Sequence, residues 1–218
     1  MAKLYFRYGV MGSSKTANAL MVRYNYEEKG KYAWLIKPAI DTRDDIVGPS
    51  GRRIATVKSR IGLSAAADVI NEDESVLKAF YNLCKQMNVD PKNPPSEGLK
   101  VDAVIVDEAQ FCSEDQISEL RTLVDTFGLP VICYGLRTDF QTKLFPGSKR
   151  LLEVADVIEQ VKHICECGKA AQVNARLDSM GNVITQGAQV EIGGNEKYEA
   201  MCWRCWNDRI STRVEVEF

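Results

Sequence analysis

The run Val101-Asp-Ala-Val-Ile-Val-Asp-Glu-Ala-Gln-Phe111 constrains the fold of this chain more than any other stretch. It is almost continuously apolar and ends in two acids, Asp107 and Glu108. Such a run reads as a strand covered on both faces, which is the habit of parallel sheets. Its neighbours agree. Leu4, Phe6 and Tyr8 alternate as a strand, a glycine turn follows, and a helix is expected from Lys15 to Glu28. "YAWLIKP" reads as a buried strand stopped by Pro38. Val76, Leu77, Phe80 and Leu83 fall at helical spacing, before a loop at "DPKNPPSEG". Ser113 and Gln116 make a capping box, and Ile117, Leu120, Leu123 and Val124 give the helix behind it an inner face that ends at Gly128. "PVICYGL" is another buried strand, "GSKRLLEVA" a short helix and "DVIEQVK" a last strand. Strands alternating with helices predict an α/β fold, a mostly parallel sheet with helices on both faces.

The texture changes near residue 164. Cys165 and Cys167, then Cys202 and Cys205, bracket a segment with a hairpin signal at Met180-Gly181-Asn182 and a glycine turn at Gly193-Gly194. So short a unit buries too little apolar surface to hold together unaided. The reading divides the chain into a nucleotide-binding α/β domain, 1–163, and a small zinc-binding domain, 164–218. At 218 residues there is room for both.

A formal net charge of −2 gives no overall field that would draw the chain to nucleic acid or anionic lipid. No apolar run approaches the roughly 18 residues of a membrane span. The amino terminus opens on a strand rather than a signal peptide, so a cytoplasmic location is expected. There, cysteines are not a disulfide framework. Cys84, Cys112 and Cys133, scattered among apolar neighbours, read as buried inert thiols.

Three groups of residues carry chemistry. Gly9-Val10-Met11-Gly12-Ser13-Ser14-Lys15-Thr16 has the outline of a phosphate loop, in which backbone N–H groups at a helix N-terminus face an anion. Lys15 would stand among the β- and γ-phosphates of ATP, and Thr16 would ligate Mg²⁺. Ser14 occupies the position where the loop ordinarily has its second glycine. A plain β-turn-α connection is the alternative. Asp107 and Glu108 sit where ligands bind in open α/β sheets, at the carboxyl end of a buried strand. Asp107 could help hold Mg²⁺ and Glu108 could accept a proton; the alternative is an acid pair that starts a helix. The four late cysteines suit a closed, structural Zn²⁺ site, with a redox pair or free thiols as alternatives. His163, the sole histidine, is a substitute ligand or a packing residue. Arg137 is expected at the surface.

Taken together, "YGVMGSSKT", "DTR" at Asp41 to Arg43, "DEAQF", "YGLRTDFQTKLF" and "VEIGGNEKYEAMCWRC" resemble the zinc-containing, type II thymidine kinases, in the order and spacing of that family, from about Lys3 to Trp206. The resemblance implies a RecA-like P-loop domain beside a zinc-held lasso. It implies transfer of the γ-phosphoryl of ATP to the 5′-hydroxyl of thymidine, with Glu108 as general base. Arg43 would lie near the phosphates, in a region that Asp41 helps arrange. Phe111 matches a ring that packs on thymine; Met11, Leu136, Phe140 and Phe145 match the rest of its pocket. Glu191, Ile192 and Gly193 match the base-reading lasso, and Tyr198 a tyrosine at sugar and base. Without the resemblance, Phe111, Leu136, Phe140 and Phe145 read as ordinary core. A homotetramer and inhibition by thymidine triphosphate are also implied. Two departures stand out, Ser14 in the loop and the tight C-x-C at Cys165. The residues leave two other functions open: a P-loop ATPase whose zinc unit grips nucleic acid, and a kinase for another deoxynucleoside.

Overall fold

Residues 1–42, 45–47, 53–92, 99–189 and 198–211 are described in the computed structural model of the chain. Strand β1 (Leu4–Tyr8) leads through the glycine loop into helix α1 (Lys15–Glu27), one residue shorter than expected because Glu28 serves as its cap. After β2 (Ala33–Pro38) come four short strands, β3 (Ile46–Val47), β4 (Arg53–Ile54), β5 (Thr56–Lys58) and β6 (Ser64–Ala66), then β7 (Asp68–Ile70). Helix α2 (Val76–Gln86), β8 (Ala103–Val106), a single 3₁₀ turn (Ala109–Phe111), α3 (Glu114–Phe127), β9 (Val131–Gly135), α4 (Pro146–Val154) and β10 (Val157–Gln160) follow. The chain then forms β11 (Val173–Leu177), β12 (Val183–Ile184), β13 (Tyr198–Met201) and α5 (Trp203–Ser211).

Six strands make one sheet in the order β10-β1-β9-β8-β2-β7, and every pairing in it is parallel. The expected continuous burial is found in β2, β8 and β9, each buried along its whole length. Side chains of β8 show why. Val104 and Val106 join one apolar cluster with Phe80, Ile117, Leu120 and Leu151 from α2, α3 and α4. Ala103 and Ile105 join another with Ala19 and Leu20 from α1. Alternate residues of a strand face opposite ways, so a strand between two helical layers must be apolar at every position.

The helix ends follow their local chemistry. Gln116 N–H donates to Ser113 Oγ at 3.1 Å and Ser113 N–H donates to Gln116 Oε1 at 3.0 Å, the expected capping box. Gly128 ends α3 at φ 65°, a left-handed geometry that costs glycine little. Cys84, Cys112 and Cys133 are buried as expected. Burial drives the Cys112 thiol up to about 12 and that of Cys133 well above its ordinary value, so both stay protonated and inert.

Strands β12, β11 and β13 form a second, antiparallel sheet. The expected hairpin joins β11 to β12. Asp178 Oδ1 accepts from the N–H groups of Met180 and Asn182, both at 2.9 Å, and Gly181 turns at φ 80°. The apolar cluster under this sheet gathers Cys165, Ala171, Ala175, Val183, Met201 and Cys202 around a residue from far away, Val10 of the glycine loop. Arg43, Glu191, Ile192, Gly193, the Gly193-Gly194 turn and most of the loop expected at "DPKNPPSEG" lie outside the described residues.

Candidate active site

The glycine loop leaves β1 at the carboxyl edge of the parallel sheet. Gly9 has to be glycine, since a Cβ there would stand 2.4 Å from Ser13 Oγ and 2.7 Å from the Val161 carbonyl. Gly12 lies at φ 80°. Ser14, at φ 62° and ψ 23°, adopts the left-handed angles that a glycine would take more cheaply. That conformation costs a non-glycine residue about 1–2 kcal/mol. Ser14 is the N-cap of α1 yet makes no side-chain capping bond, which leaves the first N–H groups of the helix open to an anion. Lys15, buried, donates from Nζ to the Val10 carbonyl at 2.9 Å. Ser13 Oγ is buried without a hydrogen-bond partner among the described residues. An orphaned hydroxyl among open N–H groups and an ammonium fits a bound phosphate chain.

Asp107 ends β8 beside this loop. It is buried, and burial first, then the Glu108 charge, pushes its carboxyl up to about 7 against the pull of the Thr16 hydroxyl and the Lys15 ammonium. A buried carboxylate bonded to the loop hydroxyl is a donor pair suited to a hard cation. Glu108 is half-buried and stands in the left-handed region at φ 52°, where the chain turns from β8 into the 3₁₀ segment. Gln110 Nε2 donates to Glu108 Oε2 at 2.5 Å, while Gln110 Oε1 accepts from Leu136 N–H at 3.0 Å.

Both groups open onto one cavity of about 440 Å³. Its wall includes Met11 to Thr16, Asp41, Asp107, Glu108, Phe111, Leu136, Phe140, Phe145 and Tyr198, so the expected phosphate, acid and apolar residues meet in one place. Gly9 and Val10 shape the loop from outside that wall. The rings of Phe111 and Phe145 meet edge to face at 5.7 Å and 77°, a favourable aromatic contact that braces the apolar end of the cavity. Arg137 does not stand free at the surface as expected: it is half-buried, its guanidinium 5.3 Å from the centre of the Tyr8 ring.

Away from the cavity, the Sγ atoms of Cys165, Cys167, Cys202 and Cys205 all lie within 4.8 Å of one another. Four thiolates around one Zn²⁺ stand about 3.8 Å apart, and Cys167 Sγ and Cys202 Sγ are 3.6 Å apart. The Cys205 N–H, 3.5 Å from Cys202 Sγ, draws that thiol down to about 7. Hydrogen bonds that the Cys205 thiol donates, to Cys167 first and then to Cys202 and Cys165, hold it up to about 12, so the cluster keeps a proton that a cation would displace. The donor set fits a metal. Despite its C-x-C spacing Cys165 is in it, and His163 is not.

Two polar residues of the site were not singled out in the sequence. Gln110 carries its signal in plain view, two residues after Glu108 in the same motif. Asn174 does not. Strand alternation between Val173 and Ala175 would send it outward, yet all three are buried. Asn174 Oδ1 accepts from Met11 N–H at 2.7 Å and Nδ2 donates to the Thr138 carbonyl at 3.1 Å. The second sheet thereby holds the glycine loop and the cavity wall at once.

A parallel sheet with a glycine loop open to an anion after β1, a buried acid after β8 and apolar residues in the same cavity has the arrangement of a P-loop nucleotide-binding protein of the α/β class. The thymidine kinase family profile matches residues 2–206. The chain is 41% identical over 210 residues to the thymidine kinase of Rhizobium meliloti, covering 96% of this chain and 98% of that one. It is 40% identical over 212 residues to that of Zymomonas mobilis, covering 97% and 100%, and 39% identical over 208 residues to that of Enterobacteria phage T4, covering 95% and 97%. The chain belongs to the thymidine kinase family.

Proposed function

We propose that the chain transfers the γ-phosphoryl group of ATP to the 5′-hydroxyl of thymidine. One observation carries the reading: the glycine loop with Lys15 and the apolar residues Phe111, Leu136, Phe140 and Phe145 line a single cavity, and Glu108 lines it with both. Phosphoryl transfer asks mainly for positioning and charge neutralisation. In this reading the loop from Gly9 to Thr16 orients the phosphate chain through the open N–H groups at the start of α1 and through Lys15, and Arg43 adds charge. Thymine packs on Phe111 among Met11, Leu136, Phe140 and Phe145, while Glu191, Ile192 and Gly193 read its edge and Tyr198 meets the sugar. Glu108, its carboxylate turned by the Gln110 amide, accepts the proton from the 5′-hydroxyl. Held by Thr16 and Asp107, Mg²⁺ would neutralise charge on the β- and γ-phosphates. Held by the four cysteines, Zn²⁺ would tie the two ends of the lasso segment together, a structural role.

The proposed division of labour places phosphate binding, chemistry and the apolar seat for thymine in residues 1–163, and the reading of the base edge with metal binding in 164–218. A homotetramer, inhibition by thymidine triphosphate and a cytoplasmic location belong to the same reading. Among the described residues no helix is long and apolar enough to cross a membrane.

The test is ADP release from ATP and Mg²⁺ with added nucleosides, thymidine monophosphate being identified as product. Turnover that depends on thymidine supports the reading; hydrolysis stimulated by polynucleotide but not by thymidine overturns it. Glu108→Gln is expected to lower kcat by about 10²–10⁴ with binding of a non-hydrolysable ATP analogue retained. Wild-type turnover in that variant removes Glu108 as the base.

A further inference from the structure

One wall of the cavity is formed by the turn between β5 and β6, and this turn brings a cation to the phosphate loop. The two strands pair antiparallel, Thr56 with Ala66, Val57 with Ala65 and Lys58 with Ser64. The turn is closed by its own bonds: Ser59 N–H donates to the Leu63 carbonyl at 2.8 Å, Leu63 N–H donates to Ser59 Oγ at 3.0 Å, and Gly62 N–H donates to the Ser59 carbonyl at 3.1 Å. Gly62 supplies the left-handed φ of 89°. Ser59 and Val57 are buried, and Val57 packs in the apolar cluster with Ala19 and Leu20 of α1. The turn is therefore fixed to the same helix whose N-terminus forms the loop.

Arg60 rides on this platform. Its Nη1 lies 3.4 Å from the point that a Cβ on Gly12 would occupy, and His163 Nε2 approaches the same point to 3.5 Å. Arg60 lines the cavity together with Gly12, Lys15 and Glu108. Its side chain is exposed, and among the described residues it makes no hydrogen bond or ion pair. A guanidinium has five donors in a fixed fork that matches phosphate oxygens. Those donors stand uncommitted against a loop already built of N–H groups and a lysine. Because the turn is ordered before ligand arrives, little freedom is lost when the fork engages.

We propose that Arg60 is a further phosphate-binding residue of this enzyme, gripping the phosphate chain of the nucleoside triphosphate donor above Gly12. The inference rests on the reading that the glycine loop holds that donor. It separates Arg60 from the thymidine end of the cavity, where the ligand is uncharged and a cation has nothing to grip.

Full-length wild-type, Arg60→Ala and Arg60→Lys proteins would be compared by steady-state kinetics and by direct titration with inorganic tripolyphosphate, which has neither base nor sugar. Arg60→Ala is expected to raise KM for ATP about tenfold, the weight of one charge-assisted hydrogen bond, with KM for thymidine within about twofold. Tripolyphosphate should lose affinity by the same factor, and Arg60→Lys should recover part of it. An unchanged KM for ATP, or equal rises in both KM values, would overturn the proposal. Should the wild-type protein show no thymidine-dependent turnover, the proposed function falls, and the tripolyphosphate titration still decides: weaker binding in Arg60→Ala supports Arg60 as a phosphate ligand, and equal binding refutes it.

Discussion

Asn174 offers the sharpest test of how the second sheet serves the cavity. It is 3% exposed and both ends of its amide are used, Oδ1 by Met11 N–H and Nδ2 by the Thr138 carbonyl. Asn174→Leu keeps the volume and removes both bonds. The Thr138 carbonyl is enclosed and loses its donor outright, whereas Met11 is half-buried and its N–H can recover water from the cavity side. An unsatisfied buried group costs about 1–3 kcal/mol and a rehydrated one less, so the sum is about 2–4 kcal/mol. For a chain of this size that lowers Tm by about 5–15 °C. The Met11 share should appear separately, as a raised KM for ATP, because a loop untied at Met11 is no longer ordered before it binds. Asn174→Asp keeps the acceptor for Met11 but sets an anion against the Thr138 carbonyl; it should lose stability while keeping the KM for ATP nearer to wild type. Thermal unfolding and steady-state kinetics on the three proteins give both quantities. If Asn174→Leu melts within about 3 °C of wild type, equivalent to about 1 kcal/mol, and its KM values are unchanged, the clasp has no energetic weight and the reasoning is wrong.

Two other perturbations follow from the geometry. Ser14→Gly relieves about 1 kcal/mol of left-handed strain and returns most of it as added freedom of the unfolded chain, so thermal unfolding should move by under about 3 °C; Ser14→Val, branched at Cβ, should instead melt several degrees lower. Purified protein should contain about one Zn²⁺ per chain, and its removal by a chelator should red-shift the emission of Trp203 and Trp206, whose rings stack edge to face 5.5 Å apart in the helix that carries Cys205. Metal-free protein with native emission would refute a structural role for that site.

The parts of the fold that were legible in the sequence are those set by local rules. An unbroken apolar run made β8 readable as a strand between two layers, and Ser113 with Gln116 announced the start of α3 through a bond between near neighbours. The cysteine pairs were legible because thiol spacing alone carries the metal chemistry. The apolar end of the cavity was different. Phe140 and Phe145 are 1% and 5% exposed, as buried as any core ring, so nothing in their pattern separates a ligand-facing wall from packing. Only the resemblance to a family distinguished them. Asn174 and Arg60 were missed for a shared reason. Each acts through a contact that the chain makes by folding back on itself, 163 residues apart for Asn174 and Met11, and across the cavity for Arg60 and Gly12. No local window contains both partners, whereas Gln110 stands two residues from Glu108 and was passed over within one motif.

Val10 links the beginning of the chain to its end. Its side chain sits in a cluster with Cys165, Met201 and Cys202, so the glycine loop completes its surroundings with residues far along the sequence. Chains fold from the amino terminus as they emerge, and contacts this far apart in sequence are the slowest to form. In a chain cut before residue 165, Val10 would lack this apolar seat and Met11 its acceptor, Asn174. The loop after β1 is thus complete only once the second sheet has formed against it.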